Sequence, residues 1–222
     1  MYPCQKRFGR LPFPELLAQV YLNLDDYFGP QNWWPAETPF ETIVGAILTQ
    51  SVNWGNVEKA IDNLRREGLL NQAAMNRVAD KKLAELIRPS GYYNMKARKL
   101  KAFLAFLYQE YDGSLTAMFS QLPAGLRKKL LGVYGIGPET ADSILLYAGH
   151  YPIFVIDAYT RRLFHRLLKT PEDIAYHHLQ ERIMAALSPD VKRFNQYHAL
   201  IVRLAKENCR KKRPYCQDCP LA

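Results

Sequence analysis

Apolar side chains recur at spacings of three and four along most of this chain, and stripes of that period are buried only when helices pack against one another. Phe13, Leu16, Leu17, Val20 and Leu24 make one such stripe, and others run through 39–50, 55–65, 81–88, 95–111 and 139–148. Alternating patterns are scarce, and Phe154-Val155-Ile156, the one tempting strand, is too short to require a sheet. Breaks fall where proline and glycine stand, at Gly29-Pro30, Pro35, Pro89-Ser90-Gly91, Asp112-Gly113, Leu122-Pro123 and Tyr151-Pro152. The pattern predicts an all-α fold of about ten helices joined by short loops. With 222 residues, 48% of them hydrophobic, the chain can bury the core of one large domain or of two small ones sharing a cleft. Wholesale disorder is excluded.

Charge narrows the class of partner. Lys and Arg outnumber Asp and Glu by 30 to 21, for a net charge of +9, which favours a polyanionic partner. No apolar run approaches the roughly 18 residues of a membrane span, and the N-terminus does not resemble a cleavable signal. These features predict a soluble, cytoplasmic protein. The five histidines show no H-x-x-H or H-E-x-x-H spacing, so hydrolytic zinc is not expected.

Three of the four cysteines, Cys209, Cys216 and Cys219, crowd into a C-x6-C-x2-C run, while Cys4 stands alone at the other end. That spacing suits several thiolates converging on one zinc ion or one iron–sulfur cluster better than a disulfide scaffold. Cys4 completes the set only if the two ends of the chain meet.

The segment Leu131-Gly132-Val133-Tyr134-Gly135-Ile136-Gly137-Pro138-Glu139-Thr140-Ala141 joins an apolar helix, Leu126 to Leu131, to a second helix, Glu139 to Ala148. Two glycines permit a tight turn with positive φ, and proline suits the first turn of the next helix. The turn and the helix N-terminus then present backbone N–H groups to an anion without any side-chain charge. Taken alone, such a turn is more often a plain connection. Here Val155-Ile156-Asp157-Ala158-Tyr159-Thr160-Arg161-Arg162 follows, with Asp157 eighteen residues beyond Glu139.

Together these motifs resemble the helix-hairpin-helix DNA glycosylases of the endonuclease III superfamily. Leu48-Thr49-Gln50 and Gly91-Tyr92-Tyr93-Asn94-Met95-Lys96-Ala97 extend the likeness over nearly the whole chain, and C-x6-C-x2-C is similar to the start of the family's four-cysteine cluster loop. The resemblance implies two helical domains with a lesion pocket in the cleft between them: a six-helix barrel over 31–151, with its hairpin near 126–148, and a second domain from 1–30 plus 152–222. It implies a double-stranded DNA partner containing damaged bases, a monomer in the cytoplasm or nucleoid, and a 4Fe–4S cluster on Cys209, Cys216 and Cys219. The family's fourth cysteine position falls just beyond Ala222.

By the same resemblance Asp157 is the catalytic carboxylate, stabilising an oxocarbenium-like sugar and orienting water. Its plainer reading is a helix N-cap, and the two roles can coexist. Bifunctional relatives place a lysine two residues after the last hairpin glycine; here Glu139 stands there, and a carboxylate cannot form a Schiff base. Lys128 and Lys129 lie on the preceding helix. A monofunctional enzyme follows. Asn32-Trp33-Trp34-Pro35 and Ile87-Arg88-Pro89-Ser90-Gly91-Tyr92-Tyr93-Asn94 resemble the bacterial 3-methyladenine glycosylases, whose cationic purine substrates suit aromatic faces.

Trp33, Trp34, Tyr92 and, more weakly, Phe40 are therefore the pocket residues, with core packing as the alternative for each. Gln50 is the residue to fill the gap left by a flipped base, or else a polar helix end. Gly135, Gly137, Thr140, Lys96 and Arg161 are the DNA-contact candidates, with Arg162 and the run Arg210-Lys211-Lys212-Arg213 beside them. Rival readings are an endonuclease III-like glycosylase for damaged or mismatched pyrimidines, and a damaged-DNA-binding module without catalysis.

Overall fold

The computed structural model describes residues 2–222. Among these residues every regular element is helical and no strand forms. In chain order the helices are α1 (Pro3–Phe8), α2 (Phe13–Phe28), α3 (Pro39–Leu48), α4 (Trp54–Arg66), α5 (Gln72–Arg77), α6 (Asp80–Leu86), α7 (Tyr93–Tyr111), α8 (Leu115–Met118), α9 (Pro123–Leu131), α10 (Pro138–Ser143), α11 (Ala158–Leu168), α12 (Tyr176–Ala186) and α13 (Val191–Glu207). A 3-10 turn, Arg88–Ser90, leads into α7, and a π turn, Ile144–Ala148, continues α10. Short polar side chains start many of them: Thr38, Asn53, Asn71, Ser114, Asp157 and Asp190 each accept a hydrogen bond from a first-turn amide.

The chain folds as two compact units. One is residues 34–151 and the other combines 1–33 with 152–222, so the first is inserted into the second. In the inserted unit, α3 is apolar on nearly every face and is buried from Phe40 to Leu48. It packs on α4, α7, α10 and the π turn. Phe40 is 3% exposed, so the core holds this ring and no base can stack on it; its expected pocket role is corrected. The helices on either side of the glycine turn are joined by an ion pair: Arg127 of α9 reaches the fully buried Asp142 of α10 through Nε at 2.6 Å and Nη2 at 3.0 Å.

In the discontinuous unit, α2 lays Leu16, Leu17, Val20 and Leu24 against α12 and α13, and α11 packs on α1 and α13. The buried Tyr197 hydroxyl of α13 donates to the Leu17 carbonyl at 3.0 Å, joining halves far apart in sequence. The apolar stripes read from the sequence include neither α12 nor α13. On α13, Tyr197 and His198 occupy core positions and blur the apolar character of its buried face. Phe154, Val155 and Ile156 are buried in extended backbone that joins no sheet.

Candidate active site

Asp157 begins α11. Its Oδ1 accepts from the Thr160 amide at 2.7 Å and from the Thr160 hydroxyl at 2.9 Å, while Oδ2 lies 3.6 Å from His198 Nε2 on α13. The residue is 9% exposed. Burial pushes the carboxyl up, but the hydrogen bond and charge of His198 and the two Thr160 donors outweigh it and hold the group below the ordinary carboxylate range. Asp157 is thus a buried, ionised carboxylate, and the N-cap reading of it holds. No sequence pattern singles out His198: an isolated histidine on an apolar stripe carries no signal until the fold brings it to Asp157.

The glycine turn gathers a second group. Gly135 has φ +80°, a conformation that favours glycine, and a methyl there would sit 2.4–2.7 Å from the Lys99 side chain. Gly137, by contrast, is exposed and faces open space. Gln50, just past α3, donates through Nε2 to the Gly135 carbonyl at 3.1 Å and to Thr140 Oγ1 at 2.9 Å, while its Oε1 accepts from Lys99 Nζ. Gln50, the expected gap-filling residue, therefore meets Gly135 and Thr140, two of the DNA-contact candidates. Thr140 is buried, and its hydroxyl accepts from Gln50. Arg98 stacks over the half-exposed Tyr134 ring at 4.3 Å, adding a cation beside the turn.

Lys96 is the clearest correction among the DNA-contact candidates. It is 2% exposed, and its ammonium donates to the carbonyls of Leu48 at 2.8 Å and Ser90 at 2.6 Å. Burial, with the neighbouring charge of Lys99, pulls its pKa down to about 8. It caps the C-terminal end of α3 from inside the unit, so no phosphate reaches it. Arg162 is likewise engaged, donating to the Cys209 carbonyl at 2.9 Å and lying over Tyr159. Arg161 is half-buried on α11.

The aromatic candidates separate. Trp33 belongs to the discontinuous unit, with the Lys206 ammonium 5.7 Å from its ring centre. Trp34 belongs to the inserted unit, where it meets Trp54 edge-on and Tyr147 at a tilt, both at 5.1 Å. Gly45 of α3 makes room for its indole, since a methyl there would stand 3.1 Å from Nε1. Trp54 and Tyr147 were missed; a third tryptophan four residues beyond Gln50 was the available signal. Tyr92 is 70% exposed with φ +45°, directly after Gly91 at φ +65°. A bulky side chain in left-handed backbone is costly, and here the ring is exposed.

All four cysteines line one cavity in the discontinuous unit, with Leu163, Leu204 and Leu221 among its apolar walls. Arg166 of α11 bridges the two ends of the set. Its carbonyl accepts from the Cys4 thiol at 3.8 Å and its Nη1 donates to Cys209 Sγ at 3.0 Å. Its Nη2 also holds the Arg210 and Lys211 carbonyls, fixing the C-terminal loop on α11. Burial, reinforced by the other three sulfurs, pushes the Cys4 thiol up to about 12, so ionising the set requires a compensating cation. Among the described residues no group of three or more His, Cys, Asp or Glu side chains is arranged to hold a metal ion. Four thiols on one cavity are the donor chemistry that a soft metal ion or a cluster would need.

The profile of the HhH-GPD superfamily base excision DNA repair proteins matches residues 44–189. A Methanocaldococcus jannaschii protein provisionally named a DNA repair glycosylase is 46% identical over 208 residues, spanning 93% of this chain and 94% of its own. Among solved structures, the H. pylori 3-methyladenine DNA glycosylase bound to 1,N6-ethenoadenine superposes with a TM-score of 0.74 at 29% identity, covering 89% of this chain and 98% of that one. A non-covalent endonuclease III–DNA complex shares the fold with a TM-score of 0.80 at 20% identity, covering 95% of this chain and 94% of that one. On the family match and the 46% identity, this chain belongs to the HhH-GPD superfamily of base excision DNA repair proteins.

Proposed function

We propose that this protein is a monofunctional DNA glycosylase that releases alkylated purines such as 3-methyladenine from double-stranded DNA, with Asp157 as its catalytic residue. The observation that carries the reading is the buried Asp157 carboxylate, held ionised by Thr160 and His198 at the start of α11. A fixed negative charge stabilises the cationic sugar that forms as the N-glycosidic bond breaks, and a carboxylate can orient water for attack at C1′. The purine leaves with the bonding electron pair. An alkylated purine is already cationic, so it departs as a neutral base and modest assistance suffices.

Glu139 supports the monofunctional reading, because it supplies no amine where bifunctional relatives have one. The similarity to a 3-methyladenine glycosylase and the part-exposed indoles of Trp34 and Trp54 favour an electron-poor base, which stacks on aromatic faces with cation–π attraction. The exposed backbone at Gly137 and the first turn of α10 would bind phosphate, with Arg161 adding charge. Gln50 would reach an unpaired base only by releasing Gly135 and Thr140. Exposed Tyr92 would stack on a base from outside the pocket. Cys209, Cys216 and Cys219 would hold a 4Fe–4S cluster, whose bound form would brace the basic loop Arg210–Arg213. The working form is a cytoplasmic monomer.

The test is base release from methylated duplex DNA, followed by chromatography, with Asp157→Asn alongside. Release of 3-methyladenine by wild type alone, with strand breaks appearing only after alkali, is the expected result. A borohydride-trapped covalent adduct would overturn the monofunctional mechanism. Release from uracil or thymine mismatches instead would move the substrate to pyrimidines, and lesion binding without any turnover would leave a binding module.

A further inference from the structure

We propose that Cys4, near the opposite end of the chain, is the fourth thiolate ligand of the cluster held by Cys209, Cys216 and Cys219, so that one inorganic group ties helix α1 to the C-terminal loop. Cys4 lies far from the Cys209, Cys216 and Cys219 run in sequence. Folding brings it to them. Cys4 lies in α1, whose buried side chains are Cys4 and Phe8, and α1 packs on α11. There Cys4 faces the same cavity as the other three thiols, and Arg166 contacts both Cys4 and Cys209.

The surroundings fit a cluster. The Gln5 amide lies beside the Cys4 sulfur and those of Leu221 and Ala222 beside Cys219, which gives the sulfurs N–H donors of the kind that stabilise cluster thiolates. The four side chains would bind a cluster as thiolates, and its iron would supply the positive charge that offsets them. The plainer alternative is that Cys4 serves only as a small apolar side chain under α1.

The test uses the full chain, purified without oxygen, and reads iron, acid-labile sulfide and the electron paramagnetic resonance spectrum. None of these depends on base release, so failure of the proposed glycosylase activity and failure of this inference are separable. Wild type is expected to hold four irons in a cluster that is diamagnetic when oxidised. Cys4→Ala should lose one iron to give a paramagnetic three-iron form, or lose the cluster altogether. Phe8→Ala loosens the same helix without removing a thiol and should keep all four irons. Retention of four irons by Cys4→Ala, equal loss from both variants, or wild type carrying zinc or no metal would each overturn the proposal.

Discussion

Asp157 serves α11 and the proposed chemistry with the same carboxylate. As an N-cap it accepts from Thr160, and as a charge it faces His198. Asp157→Asn keeps the shape of the cap and removes the charge, and base release should fall by roughly 10²–10⁴-fold, measured under single-turnover conditions. The carboxyl lies below its ordinary value of 3.8, so its ionised form contributes stability above that value and loses the contribution as pH falls through the depressed one. The melting temperature of wild type should therefore exceed that of Asp157→Asn most near neutrality, with the gap closing in acid. Lys96→Met tests the buried cation: it strands the Leu48 and Ser90 carbonyls and should cost about 1–3 kcal/mol in denaturant unfolding. Asp157 was legible because its motif surrounds it. The burial of Lys96 was not, because four cations within six residues look alike until α7 acquires an inner face.

The α9–turn–α10 element depends on Gly135, on Gln50 and on the Arg127–Asp142 pair. Gly135→Ala forces a side chain into left-handed backbone and against Lys99, so it should weaken duplex binding while leaving helix content unchanged by circular dichroism. Arg127→Ala leaves Asp142 buried without its partner guanidinium and should destabilise the chain by about 3–5 kcal/mol, read from denaturant midpoints. The turn was visible in the sequence through its glycines and proline. The Arg127–Asp142 pair was not, since fifteen residues separate its partners and neither belongs to a motif. Helix periods likewise marked α2, α3, α4 and α7, whereas α13 escaped because aromatic and polar groups share its buried stripe. Trp34 was found by resemblance, but only packing reveals that Gly45 shapes the space for its ring.

Across the whole molecule, the net charge of +9 makes salt a direct probe of DNA binding. The logarithm of the association constant for duplex DNA should fall linearly with the logarithm of salt concentration, with a slope set by the number of phosphates engaged. Neutralising Arg161 should reduce that slope by about one if it contacts a phosphate. The division of the chain into an inserted unit and a discontinuous one has a further consequence, for the order of synthesis. The apolar stripe of α2 leaves the ribosome before the inserted unit, and its packing partners α12 and α13 follow that unit. At roughly 5–20 residues per second that stripe waits on the order of ten seconds, while the inserted unit can fold in the interval. Newborn chains of this protein therefore pass through a state with one finished unit and one uncovered helix, a state open to chaperone capture that the mature molecule does not display.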